Sequence, residues 1–207
     1  MKAKHMPKVT EQDNTINHLD LQAANDDTQL ENNLAADAVG LPDVAIQIEK
    51  IAERKRQITA KIQIPQPVEQ IWQVLTNYEA LSDFIPSLAK SCLLEHPNGG
   101  IRLEQIGSQR LLNFNFCARV VLDLEECFPR EINFSMVEGD FKGFSGSWCL
   151  EPYALGEDAG TILCYTIQVW PKLTMPVAII ERRLSNDLRL NLLAIHQRVE
   201  QLANLNS

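Results

Sequence analysis

The sequence predicts an α+β fold in which a curved, seven-stranded antiparallel sheet wraps around one long C-terminal helix. Three observations support this prediction. Between residues 90 and 170, segments alternate apolar and polar side chains and end in turn-forming residues. After Pro176, apolar residues recur every three or four positions for about 27 residues, which is the period of a helix. A strand and two short helices precede this region, so strands and helices are segregated along the chain, as in two-layer α+β domains.

The first 43 residues differ in composition from the rest. They carry three lysines and eight acidic residues, with few aromatic or branched apolar side chains. Such a segment buries too little apolar surface to offset the entropy lost on ordering, so residues 1–43 are predicted to be an acidic disordered tail. A charged extension, residues 44–55, follows, and within it Val44, Ile46 and Ile48 alternate as in a strand. Most of the formal charge of −8 therefore lies outside the predicted domain, residues 56–204.

The predicted domain begins with a strand and two short helices. In QITAKIQIP, Ile58, Ala60, Ile62 and Ile64 share one face. Pro67 suits the first position of a helix, and the apolar residues after it have helical spacing. The short helical segment ALSDFIPS comes next. Six strands follow in sequence: SCLLEH, IRLEQIGSQRLL, NFNFCARVVLDLEECF, EINFSMVE, FSGSWCLEPY and TILCYTIQVW. Short turns between consecutive strands predict an antiparallel meander.

Composition argues against several functions. An acidic chain offers no basic surface for nucleic acid, and no apolar run reaches the length of a membrane span. The N-terminus has no apolar core of a secretory signal, so we expect a cytoplasmic protein. The five cysteines have no CxxC spacing and are predicted to be reduced, buried or half-buried thiols. No metal site and no cofactor are expected, and His96 and His196 are predicted to be exposed.

The order of these elements and the segment IPQPVEQIWQVLTNYEALSDFIPSLAK resemble the polyketide cyclase/dehydrase and coenzyme-Q-binding START-like family, of the helix-grip (birch-pollen-allergen, SRPBCC) superfamily. The first helix of that family is similar to P-x-E-x-V-W-x-x-L-T-D-Y-x-x-L-x-x-F-x-P. The matching positions are Pro67, Glu69, Trp72, Leu75, Thr76, Tyr78, Leu81, Phe84 and Pro86. Ile71 and Asn77 depart from the pattern, and Gly146-Ser147-Trp148 matches the G-x-W of a later strand. The wording of these motifs looks like that of cyanobacterial and plastid members.

The resemblance implies a hollow domain that binds a hydrophobic small molecule, such as a polyprenyl quinone, a lipid, or a polyketide or tetrapyrrole-like ring. One helix cannot fill a concave sheet of seven strands, so we expect the ligand cavity between the sheet and the C-terminal helix. The residues expected to line it are Phe84, Phe114, Phe116, Phe134, Trp148, Tyr165, Trp170, Met175, Ile180 and Leu184. Strand phase suggests Gln105, Arg110 and Tyr165 as polar anchors. The main hypothesis is therefore a non-catalytic carrier or sensor.

Two other functions remain open at this point. The first is an aromatase/cyclase or dehydratase acting on a polyketide-like substrate, with a Tyr or Arg as proton relay; the lack of a His or of paired acids in the sheet region argues against it. The second is a protein-interaction module that uses the N-terminal extension. In addition, Leu173 and Met175 lie in the connector before the last helix, close to Lys172 and Arg182-Arg183. This arrangement suggests transient contact with a membrane surface.

Overall fold

The computed structural model describes residues 42–111, 114–155 and 158–205. The strands are β1 Ala45–Lys50, β2 Arg56–Ile64, β3 Leu88–Leu94, β4 Ile101–Leu111, β5 Phe114–Cys127, β6 Glu131–Gly139, β7 Gly143–Leu155 and β8 Asp158–Trp170. The helices are α1 Val68–Thr76, α2 Leu81–Phe84 and α3 Val177–Leu205, with a 3-10 turn at Tyr78–Ala80. Most of the predicted acidic tail lies outside the described residues.

All eight strands form one antiparallel sheet in the order β1-β2-β8-β7-β6-β5-β4-β3. Strands β3 to β8 form the expected meander, and β2 joins it by pairing with β8 from Arg56↔Val169 to Ile64↔Thr161. The predicted α+β helix-grip architecture is thus confirmed. The sheet has eight strands rather than seven, because the charged extension contains β1, which pairs with β2 along its whole length. As an edge strand, β1 keeps most of its polar side chains in solvent.

The core lies between the inner face of the sheet and α3. Strand alternation turns every second residue of β2 and β8 inward, and the three- and four-residue steps of α3 present one apolar stripe to them. The fully buried members of this core include Ile58, Ile62, Ile64, Leu163, Ile167, Val169, Leu188, Leu192 and Ile195. Each contributes about 1.5–3 kcal/mol by leaving water. No helix in the described ranges is long and apolar enough to cross a bilayer.

The five cysteines are free, as expected for reduced thiols. Cys92, Cys149 and Cys164 are half-buried, but Cys117 and Cys127 are exposed. The prediction of burial is therefore wrong for these two thiols. They occupy the odd positions of β5, whereas the side chains that face the core, such as Val120 and Leu122, are at even positions.

Candidate functional site: an apolar cavity with one polar side

A cavity of about 160 Å³ lies between the inner face of the sheet and α3. The sheet supplies the inward residues of β4 to β8, and α3 supplies Ile180, Leu184 and Leu188 from one face. Leu75 and Tyr78 at the end of α1, with Leu81 and Ile85 around α2, enclose it from another side.

One wall of the cavity is aromatic. Trp148 and Tyr165 are directly opposite in the β7–β8 register, and their rings stack with centroids 3.6 Å apart and an interplanar angle of 5°. Phe134 lies beside this pair, 6.1 Å from the Tyr165 ring. Phe134 also stacks on Phe144, at 5.9 Å, and Phe144 on Phe141, at 5.6 Å. The wall therefore offers flat faces to a ring-shaped ligand.

Gly146 makes this wall possible. It lies opposite Phe134 on β6 and Ile167 on β8. A Cβ at this position would be 2.7 Å from Cζ of Phe134 and 2.0 Å from the Thr166 carbonyl oxygen. Only a residue without a side chain lets the Phe134 ring lie across β7, which gives the Gly146-Ser147-Trp148 motif a packing role.

The α3 side of the cavity carries polar groups. Arg183, Asp187 and Asn191 are spaced four residues apart on α3, so they share one face of the helix, and all three line the cavity. The Ser87 hydroxyl donates a hydrogen bond to Oδ1 of Asn191, 3.1 Å away. Among the described residues, neither the Asn191 amide nitrogen nor the Tyr165 hydroxyl has a hydrogen-bond partner. Both remain available to a ligand or a water.

Burial perturbs the acid–base chemistry of this polar side. Loss of solvent raises the pKa of the Asp187 carboxyl to about 6, and the charge of Arg183 partly opposes this rise. Burial, and then the nearby Asp187, raise the pKa of the Tyr165 hydroxyl. Tyr165 therefore stays protonated and can donate a hydrogen bond, whereas Asp187 changes charge in mildly acidic solution.

The enclosing helices are tied to the sheet by Tyr78. Its hydroxyl donates a 2.6 Å hydrogen bond to Oε1 of Glu126 on β5. Burial and this bond raise the pKa of Tyr78, so the donor is permanently present. This hydrogen bond joins the 3-10 turn that follows α1 to β5, and it holds α1 and α2, which cover the cavity, against the sheet.

The structure brings together part of the predicted site. Phe134, Trp148, Tyr165, Ile180, Leu184 and Gln105 line the cavity. The side chains of Arg110, Phe114 and Phe116 lie outside the described part of the structure. That any of these residues binds a ligand stays a prediction.

Three predicted residues do not line the cavity. Trp170 is five residues after Tyr165 on the same strand, so alternation turns it to the outer face, where it is 40% exposed and Nζ of Lys142 lies 3.8 Å from its ring centroid. Phe84 packs against the core and against a second apolar cluster, and the Arg198 guanidinium lies 5.9 Å from its ring; the second cluster consists of Tyr78, Leu81, Ile85 and Leu103. Met175 packs against the edge of the core.

Sequence reasoning missed the polar side. The sequence pattern groups Arg183 with the cationic residues close to the connector, and it gives no direct indication that Asp187 and Asn191 border a cavity. A signal existed, because residues 183, 187 and 191 each precede a leucine of the apolar stripe.

Neither histidine fits the prediction of exposure. His96 accepts backbone hydrogen bonds from Asn98 and Gly100, and His196 lies 3.5 Å from Glu200. Both side chains are half-buried, and neither lines the cavity. In the part of the chain that the structure describes, no three His, Cys, Asp or Glu side chains are grouped closely enough to hold a metal ion.

A curved antiparallel sheet that holds a long C-terminal helix over an apolar cavity defines the class of START-like helix-grip domains. Residues 64–193 match the family described as polyketide cyclase/dehydrase and lipid transport. The match covers more than half of the chain, and the protein belongs to this family. None of the curated proteins compared with the chain matches it significantly.

Solved structures with the same fold come from several bacteria. A START superfamily protein from Mycobacterium smegmatis has a TM-score of 0.57 and 18% identity, covering 70% of this chain and 98% of its own. An aromatase/cyclase from Streptomyces sp. R1128 has a TM-score of 0.56 and 16% identity, covering 71% and 94%. A STAR-related lipid transfer protein from Xanthomonas axonopodis has a TM-score of 0.56 and 15% identity, covering 75% and 98%. At these identities the similarity establishes the fold alone.

Proposed function

We propose that this domain binds a hydrophobic, ring-containing small molecule that carries a hydroxyl or carbonyl group, and that it acts as a carrier or sensor without converting it. The observation that supports this most directly is the division of the cavity into an aromatic wall and a polar row on α3. Apolar walls provide affinity, and a few placed polar groups select the orientation of a ligand. Membership of a family associated with lipid transport agrees with this role.

The volume of the cavity limits the ligand. At about 160 Å³ it is close to the roughly 150 Å³ of an engineered cavity that binds benzene, and below the roughly 300–1,000 Å³ of pockets for drug-sized molecules. In this conformation it encloses a small ring system or a short chain. A polyprenyl quinone or a lipid would place only its ring or the end of a chain inside, or would displace the cover formed by α1 and α2.

The polar row favours an oxygen-bearing ligand. The Asn191 amide and the Tyr165 hydroxyl both line the cavity and can donate hydrogen bonds, so a ligand oxygen would give them an acceptor. We therefore expect 1-naphthol to bind more tightly than naphthalene. Isothermal titration calorimetry with these two ligands tests both parts of the proposal. If neither ligand binds, the cavity is not a ligand-binding site. If both bind with equal affinity, the polar groups do not select an oxygen-bearing ligand.

A cavity-filling variant localises the binding. Ala118 lines the cavity on β5, so Ala118→Phe would place a ring in the empty space. Cys117→Phe adds the same side chain at the neighbouring exposed position and is the matched control. We expect Ala118→Phe to abolish 1-naphthol binding and Cys117→Phe to leave it unchanged, with circular dichroism verifying that both are folded. Unchanged binding in Ala118→Phe would exclude this cavity as the site.

One observation favours the enzyme alternative. Asp187, with a pKa of about 6, and Tyr165 lie together in an apolar cavity, a combination that suits general acid–base chemistry. An aromatase/cyclase or dehydratase would turn over an aromatic polyketone, and Asp187→Asn would abolish turnover while 1-naphthol still bound. The carrier proposal predicts no turnover by either form. The interaction-module alternative stays a prediction, to be tested by a pull-down with full-length and tail-deleted protein.

We also propose that the connector 171–176 contacts anionic membranes transiently. Leu173 is 87% exposed and Ile179 55% exposed, with Trp170 and Lys172 beside them. An exposed apolar tip next to a cationic side chain suits the interface of an anionic bilayer. Leu173→Asp should reduce sedimentation with phosphatidylserine vesicles, whereas Leu205→Asp, which changes another exposed leucine at the far end of α3, should not. Equal loss in both variants, or none, would contradict the proposal.

A further inference from the structure

Two of the five cysteines form a cross-strand pair on the outer face of the sheet. Cys149 on β7 and Cys164 on β8 are directly opposite in register, next to the Trp148↔Tyr165 pair that faces the cavity. Alternation therefore places both sulfurs on the other face, where both residues are half-buried and free. We propose that this pair is a site of reversible oxidation, at which a hydroperoxide converts the two thiols to a disulfide bond between β7 and β8.

The register suits such a bond. Directly opposed residues of antiparallel strands have Cα atoms about 4.5–5.5 Å apart, and disulfides span Cα separations of about 4.4–6.8 Å. The Cα separation typical of this register is therefore compatible with a disulfide bond.

No other cysteine has a cysteine opposite. The residues opposite Cys92, Cys117 and Cys127 are Glu104, Ser108 and Glu131. Cys127 and Cys149 both lie opposite Glu131, on the strands at either side of β6, so two interstrand spacings, about 9–10 Å, separate them. The sheet therefore singles out one pair among the five thiols.

The surroundings indicate the order of the chemical steps. Burial, followed by the nearby Glu151 and Cys164, raises the pKa of the Cys149 thiol, which makes it the poorer first nucleophile. Cys164 is therefore the candidate for the first attack. Its sulfur attacks the terminal oxygen of the hydroperoxide, the O–O bond breaks, and a sulfenic acid and an alcohol form. The Cys149 sulfur then attacks the sulfenic sulfur, the S–O bond breaks, and water leaves with the thiol proton.

The bond would form directly behind the aromatic wall of the cavity. Trp148 precedes Cys149 and Tyr165 follows Cys164, so the disulfide would hold together the two strands that carry the stacked rings. It would also close the β7–β8 hairpin into a covalent loop. Loop closure restricts the unfolded chain, so the oxidised protein should have a Tm higher by about 5 °C or more.

The test uses the full-length protein and hydrogen peroxide. We expect free thiols to fall from five to three, the intact mass to fall by two hydrogen atoms, and peptide mapping to join Cys149 to Cys164. Dithiothreitol should restore all five thiols. Cys149→Ser and Cys164→Ser should each abolish the bond, whereas Cys92→Ser and Cys127→Ser, which remove unpaired thiols, should retain it.

Several results would overturn the proposal. They are five thiols that persist after oxidation, sulfinic acids in place of the bond, a bond that involves another cysteine, or a link between two protein molecules. A disulfide that lowers the Tm would show that the native strand spacing does not suit the bond. All readouts are independent of any ligand, so failure here leaves the proposed function standing, and failure of ligand binding leaves this proposal standing.

Discussion

Replacement of Gly146 by alanine tests the packing of the aromatic wall. The added Cβ would lie 2.0 Å from the Thr166 carbonyl oxygen, 2.7 Å from Cζ of Phe134 and 3.0 Å from Cα of Ile167. Two of these three atoms belong to the β8 backbone, which cannot move aside as a flexible side chain can. Overpacking of a core typically costs about 1–3 kcal/mol, and contact with backbone places Gly146→Ala at the upper end, about 3 kcal/mol. For a domain of this size that corresponds to a Tm lower by about 6–12 °C.

Gly143→Ala is the matched control, because it makes the same change on the same strand. Its Cβ would lie 3.7 Å from Cβ of Trp170, an ordinary van der Waals contact, so the free energy of unfolding should change by less than about 0.5 kcal/mol. Urea denaturation and thermal melts followed by circular dichroism measure both variants. The reasoning fails if Gly146→Ala unfolds with a free energy within about 0.5 kcal/mol of wild type, or if both variants lose the same amount.

Three further predictions concern the cavity and its surroundings. Folding disfavours the charged form of Asp187, because its pKa is raised to about 6, so its contribution to stability falls as the pH rises from about 4 to 7. The stability of Asp187→Asn relative to wild type should therefore increase by about 2–3 kcal/mol over that range. Urea denaturation at several pH values measures this difference, and a difference that does not change with pH would refute the prediction. Tyr78→Phe removes the hydrogen bond to Glu126, so the free energy of unfolding should fall by about 1 kcal/mol. The variant should also release 1-naphthol faster, as measured by stopped-flow fluorescence. An unchanged dissociation rate would show that α1 and α2 do not control the exit of the ligand. Arg54 donates hydrogen bonds to the Lys172 and Met175 carbonyls, so Arg54→Ala should speed amide hydrogen exchange within residues 171–176 but not in β4, and equal protection in both proteins would contradict this anchoring.

The elements of the fold were predictable because each depends on neighbouring residues. Alternation along β2 identified Ile58 and Ile62 as inward residues, and both are fully buried. The leucines of α3 followed the helical period and do face the sheet. Strand β1 was harder to assign, because an exposed edge strand has little burial to impose a pattern.

The site was only partly predictable. Strand phase correctly indicated that Phe134, Trp148 and Tyr165 share the inner face. The same rule applied to Trp170 would have excluded it, since it lies an odd number of residues after Tyr165. Asp187 was missed because a helix pattern reports which residues avoid water and does not reveal a polar side chain that borders an empty space.

The sequence by itself determined most of the secondary structure, the face on which most strand and helix side chains lie, and the family. These properties follow from the stereochemistry of the chain and from apolar patterns with periods of two and 3.6 residues. Only the tertiary structure decided that a space of about 160 Å³ remains between the layers, that Asp187 and Tyr165 line the same cavity, and that Cys149 lies opposite Cys164. These spatial proximities depend on the curvature of the sheet and on strand register, which arise from contacts between residues distant in the chain.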